Sequence, residues 1–294
     1  MHIGDDILLE AFWDASTSTF SYLLLNRPTR QCALIDSVLD FDPKSGRTQT
    51  HHADRMIERV RTLDAEVAWI LETHVHADHL SAAPYLKAHL GGRIAIGRHI
   101  TEVQRVFGGL FNAGSEFHCD GSQFDWLFDE GETFMLGSLP VRTLHTPGHT
   151  PACMSYVVDA PGQTLAFIGD TLFMPDYGTA RCDFPGGDAR TLYRSIRKLL
   201  ALPADTLLLM CHDYCPNGRE AQFMTTVAEQ RAHNLHVHDG VAEDEFVHMR
   251  ETRDKTLAMP LLMLPSVQVN MRSGRLPEPE GNGVRYLKIP LNSF

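Results

Sequence analysis

A chain of 294 residues with 43% hydrophobic content can bury the core of one elaborated globular domain, and no low-complexity tract interrupts it. A formal charge of −11 and a pI near 5.8 exclude the basic face that nucleic-acid binding needs. No apolar run approaches the roughly 20 residues of a membrane span, and the first residues, Met1 to Asp6, lack the basic and apolar regions of a secretory signal, so a cytoplasmic location without membrane contact is expected.

In chain order, residues 20–25 and 32–36 read as a hairpin of two strands. Met56, Ile57, Val60 and Leu63 recur at helical spacing and predict a helix over 51–63, followed by a strand at 69–71. A short helix at 82–90 stops at Gly91-Gly92; a strand at 93–97, a helical turn at 101–107 and a loop at 108–121 follow. The pattern is strand-rich from 130 to 168. A helix at 191–200 then carries Leu192, Ile196, Leu199 and Leu200 on one face, before a strand at 207–210 and helices at 220–233 and 243–254. Two strand-rich halves with helices point to an α+β protein, an αβ/βα sandwich whose ligand loops share one edge.

Those loops carry the chemistry. Thr73-His74-Val75-His76-Ala77-Asp78-His79 packs three imidazoles and a carboxylate behind an apolar run, a ligand set for Zn or Fe(II). A carboxylate buried among histidines is costly unless a cation neutralises it. Thr146-Pro147-Gly148-His149-Thr150, Gly169-Asp170-Thr171 and Cys211-His212-Asp213 each follow a strand-like run as well. His74, His76, Asp78, His79, His149, Asp170 and His212 together suffice for a two-metal hydrolase, so ligand type alone leaves one or two metals open. The six cysteines lack CxxC pairing and read as reduced thiols, with Cys211 a small core residue at the end of its strand.

The order HxHxDH, TPGHT, GDT and HD resembles the metallo-β-lactamase superfamily. Glu72 to Ala82, Ala180-Arg181-Cys182-Asp183-Phe184 and Asn270-Met271-Arg272-Ser273-Gly274 look more narrowly like the persulfide dioxygenases, the ETHE1-like sulfur dioxygenases, over residues 18–274. The resemblance implies the metallo-β-lactamase fold, two mixed sheets packed between helices. A single domain over 1–294 is expected, with residues from about 243 to 294 as a C-terminal extension contributing to the substrate pocket.

It also implies one Fe(II) per chain on His74, His149 and Asp170, with His76, Asp78, His79 and His212 as supporting groups or a second metal site. Arg181 would orient an anionic substrate and Tyr214 would hydrogen-bond near the iron. Arg219 would help with the peptide portion, and Asn270, Met271 and Arg272 would receive a glutathione moiety, the guanidinium suiting a carboxylate. Glutathione persulfide and O2 are then the partners, sulfite and glutathione the products, and a homodimer the expected assembly. The competing reading is a binuclear hydrolase of the glyoxalase II type acting on a glutathione thioester. The 181–184 and 270–274 segments and the lack of a clear basic C-terminal helical domain speak against it. A third reading is an idle persulfide or metal sensor, which turnover with any persulfide would eliminate.

Overall fold

The computed structural model describes residues 1–293. Its elements are β1 (His2–Ile3), β2 (Ile7–Asp14), β3 (Thr19–Asn26), β4 (Gln31–Ile35), β5 (Val38–Asp42), β6 (Arg47–Gln49), α1 (His51–Thr62), β7 (Glu66–Leu71), β8 (Leu80–Ser81), α2 (Ala83–Leu90), β9 (Arg93–Gly97), α3 (Ile100–Leu110) and β10 (Trp126–Phe128). There follow β11 (Thr133–Leu136), β12 (Leu139–His145), β13 (Met154–Ala160), β14 (Gln163–Phe167), α4 (Ala189–Leu200), β15 (Leu207–Leu209), β16 (Met224–Thr226), α5 (Val227–His233), α6 (Glu243–Asp254) and α7 (Met263–Asn270).

One sheet runs β1-β2-β3-β4-β7-β9-β10, the other β11-β12-β13-β14-β15-β16. Every residue of β3 is buried, because the strand is covered on both faces and reads as a nearly unbroken apolar run. Its residues Tyr22 and Leu24 pack with Tyr156 and Phe167 between the sheets, while Leu23 and Leu25 meet Met56, Ile57 and Val60 of α1 on the outer face. α4 covers the second sheet: Leu192, Ile196 and Leu199 pack on Val157, Ala166 and Leu208. Asp188 starts that helix, its carboxylate accepting the Thr191 N–H at 2.7 Å. Three apolar layers thus separate helix, sheet, sheet and helix, the αβ/βα sandwich expected from the pattern.

Strand direction decides where the loops go. β4, β7 and β9 pair in parallel, so each connection crosses the sheet, through α1 and then α2. β14 and β15 also run in parallel, with β12 pointing the same way two strands from β14. The loops after β4, β7, β12, β14 and β15 therefore emerge at strand carboxyl ends, the position at which α/β sheets assemble their sites.

Three local readings change. The helix expected at 220–233 starts only at Val227, because Met224–Thr226 forms an edge strand against β15 and Thr226 with Glu229 then makes a capping box. The turn expected at 101–107 is an eleven-residue helix reaching Leu110, which takes the start of the supposed 108–121 loop. β2, the small β6-β5-β8 sheet and α7 carried no strong local signal.

Candidate metal centre

All seven anticipated ligands come from these strand-end loops. His74 Nε2 and His149 Nε2 each lie 3.7 Å from Asp170 Oδ2, and the ligating atoms of this trio lie within 4.8 Å of one another. A second group, His76, Asp78, His79 and His212, meets the same limit. The two touch at His212 Nε2, 3.2 Å from Asp78 Oδ2 and 3.4 Å from Asp170 Oδ1.

Glycines let the loops approach. Gly169 sits at φ +53°, and a Cβ there would lie 2.8 Å from Thr73 Oγ1. Gly148, at φ +132°, lays the His149 turn directly on the Leu192 backbone of α4, with no room for a side chain.

Hydrogen bonds assign the imidazole tautomers. The His149 Nδ1–H donates to the Arg181 carbonyl at 2.7 Å, the His79 Nδ1–H to the Leu80 carbonyl at 3.2 Å and the His212 Nδ1–H to the Ser18 carbonyl at 3.2 Å. Thr73 gives its hydroxyl proton to Asp36 at 2.9 Å, so its oxygen takes the His74 Nδ1–H at 3.0 Å. Each ring thereby presents an Nε2 lone pair, the arrangement that outer hydrogen bonds impose on metal ligands. Nε2 of His74, His79 and His212, and Oδ1 of Asp78 and Asp170, are buried without a hydrogen-bond partner among the described residues. A native fold does not leave so many polar atoms orphaned in one place unless a ligand takes them, so the donor set fits a metal ion.

The electrostatics agree. Burial, then the surrounding imidazoles, hold His74 well below the usual imidazole range, and burial and His76 push His79 down to about 3. Both rings are therefore neutral and able to ligate. Burial raises Asp170, against the pull of His212 and His149. His76 is different: burial disfavours its charge, but Asp36 at 3.0 Å and Glu72 at 3.3 Å outweigh it and hold the ring well above the usual range. Its Nε2 is committed to those carboxylates. A cavity of about 540 Å³ opens onto His149, Asp170 and Asp78, walled by Phe173, Phe184, Tyr214 and Arg181.

The family model of the metallo-β-lactamase superfamily matches residues 17–212. The chain belongs to that superfamily. Among its relatives, a probable metallo-hydrolase of Burkholderia pseudomallei is 66% identical, covering 97% of this chain and 99% of that protein. Glyoxylase B2 of Dictyostelium discoideum is 49% identical over 97% of each. The mitochondrial persulfide dioxygenase ETHE1 of Bos taurus is 30% identical over 92% of this chain and 90% of its own. The crystal structure of ETHE1 from Myxococcus xanthus superposes with a TM-score of 0.71 at 30% identity, covering 91% of this chain and all of the other.

Within this metallo-β-lactamase fold the outlying residues fall into distinct places. Arg181 and Tyr214 line the cavity. Arg181 is braced, with Nε and Nη2 on Asp183 at 2.6 and 2.7 Å and Nη1 on the Ala258 carbonyl, which leaves two N–H groups. Arg219 is not among the residues lining the cavity. It clamps Asp176 and the fully buried Asp213, a structural duty that uses its guanidinium. Met271 is buried in the outer core. Asn270 ends α7, and its amide donates to the His76 and His79 carbonyls while its oxygen accepts the Ser81 N–H. It braces the metal loop from beneath. Arg272 faces a separate cavity of about 390 Å³, over the Phe117 ring.

Two carboxylates escaped the sequence reading. Asp36, at φ +51°, accepts from the Thr73 N–H at 2.7 Å, the Thr73 hydroxyl and His76. Glu72 accepts from Ser81 at 2.6 Å. Their signal was an acid closing a buried apolar strand, at Ile35-Asp36 and Leu71-Glu72, where an unpaired carboxylate would be costly.

Proposed function

We propose that the chain is a mononuclear Fe(II) persulfide dioxygenase that oxidises glutathione persulfide, with O2 and water, to sulfite and glutathione. One observation carries the reading. His74, His149 and Asp170 form a two-histidine, one-carboxylate set with His149 and Asp170 on the cavity wall, while the Nε2 of His76 is tied to Asp36 and Glu72 and only its buried Nδ1 is left without a partner among the described residues. His74, His149 and Asp170 would hold Fe(II), which when bound would supply the oxygen chemistry.

The chain's own residues do the rest. Thr73 and the Arg181 carbonyl lock the His74 and His149 rings with Nε2 turned inward. Phe173 and Phe184 set apolar rings on the cavity wall, which would exclude water from a bound substrate and strengthen electrostatic interactions there. The two unused N–H groups of Arg181 receive the substrate's anionic portion, and Tyr214 offers a hydroxyl from the cavity wall. The reaction balances without a reductant, since oxidation of the terminal sulfur to sulfite releases the four electrons that O2 takes up.

A binuclear hydrolase acting on a glutathione thioester is the second reading. The His76, Asp78, His79 and His212 group favours it, as does the likeness to a probable metallo-hydrolase and to glyoxylase B2. The deciding experiment is O2 uptake by anaerobically Fe(II)-loaded protein on adding glutathione persulfide, with His74→Ala as control. Uptake yielding sulfite and lost in the variant supports the dioxygenase. No uptake, with thioester cleavage by a form holding two Zn per chain, moves the chain to the hydrolases.

A further inference from the structure

Three arginines line the metal cavity: Arg181, Arg250 and Arg253. Two are neutralised. Arg181 holds Asp183. Arg250, only 1% exposed, holds Asp254 at 2.6 Å and donates to the Thr179 carbonyl at 3.1 Å. Asp254 in turn accepts the Cys182 N–H at 3.0 Å, so the last turn of α6 is fastened to the 179–183 loop that carries Arg181. Arg253 sits in that turn. It is exposed at the cavity rim, and its guanidinium has no carboxylate and no hydrogen-bond acceptor among the described residues. It shares the wall with apolar Leu257, Leu261 and Leu262. An exposed, unpaired guanidinium beside an apolar wall matches a ligand with an apolar or thiol arm and a free carboxylate.

We infer that Arg253 is a specificity determinant that pairs with a carboxylate of the thiol carrier, so that the site prefers persulfides on anionic carriers over those on neutral ones. The inference rests on the proposed substrate reading for the carrier, but not on turnover. Calorimetric titration of Fe(II)-loaded protein, kept anaerobic, with reduced glutathione and with its diethyl ester reads it directly. Arg253→Gln is expected to weaken glutathione binding about fivefold, the scale of an exposed charge pair, to leave the diester unchanged, and to be rescued by Arg253→Lys. Equal effects on the two ligands, no effect on either, or no measurable glutathione binding to the parent protein overturns it. In the O2 assay the same variant raises KM for glutathione persulfide at unchanged kcat. Absence of uptake by the parent sinks the dioxygenase while leaving the titration result standing.

Discussion

Asp36 is a single side chain on which much of the centre depends. It fixes the Thr73 backbone, takes the Thr73 hydroxyl proton that orients His74, and favours the charged form of His76. Asp36→Asn keeps the shape and removes the charge, so metal affinity is expected to fall about tenfold or more, the usual scale for an outer hydrogen-bond partner. Titrating metal into the variant with a competing chelator measures it; unchanged affinity would remove Asp36 from this role. His236 gives a pH dependence through a ring that is not among the candidate ligands. Burial, then Arg250 and Arg253, lower its ring from 6.5 to about 4, and it accepts the Thr179 N–H at 3.1 Å. The fold therefore binds fewer protons than the unfolded chain between those values. Its contribution is fully present above about pH 6.5 and is lost as pH falls toward about 4. Thermal melts at about pH 7 and about pH 4.5 should show a smaller drop for His236→Asn than for the parent, since the amide keeps an acceptor and does not titrate.

At the scale of elements, the metal loop between β7 and β8 has little regular structure and borrows its rigidity from α7. Asn270 satisfies two carbonyls and one N–H of that loop with one side chain. Asn270→Ala leaves three buried backbone groups unpaired, which should cost about 3 kcal/mol or more. Chemical denaturation measures that cost. Weakened metal binding without a KM change beyond it separates this bracing duty from substrate contact. Elements with a clean apolar period were legible: α1 spans 51–62 where 51–63 was expected, and α4 spans 189–200 where 191–200 was expected. Residues 220–233 were not, because the hydrogen bonds that make Met224–Thr226 a strand come from β15, and local spacing carries no record of a sheet edge.

For the whole molecule, folding gathers orphaned imidazole and carboxylate atoms between two sheets, so the metal is expected to stabilise the fold as well as to act in it. Removing it with a chelator should lower the melting temperature, and restoring Fe(II) or Zn should raise it with the logarithm of free metal concentration. No such dependence would mean that these atoms hold no metal. The sequence alone determined the chemistry available: residue type makes His74, His149, Asp170 and their companions candidate ligands, and apolar runs put each behind a strand. It also determined the layered fold, because burial on one face or both is written in local spacing. Only the tertiary structure decided which ligands meet in one trio, that Asp36 and Glu72 stand behind them, and that Arg219 and Met271 serve the scaffold. Those choices depend on sheet order and on which side chains approach within hydrogen-bonding distance across loops remote in the chain, and no local pattern encodes such distances.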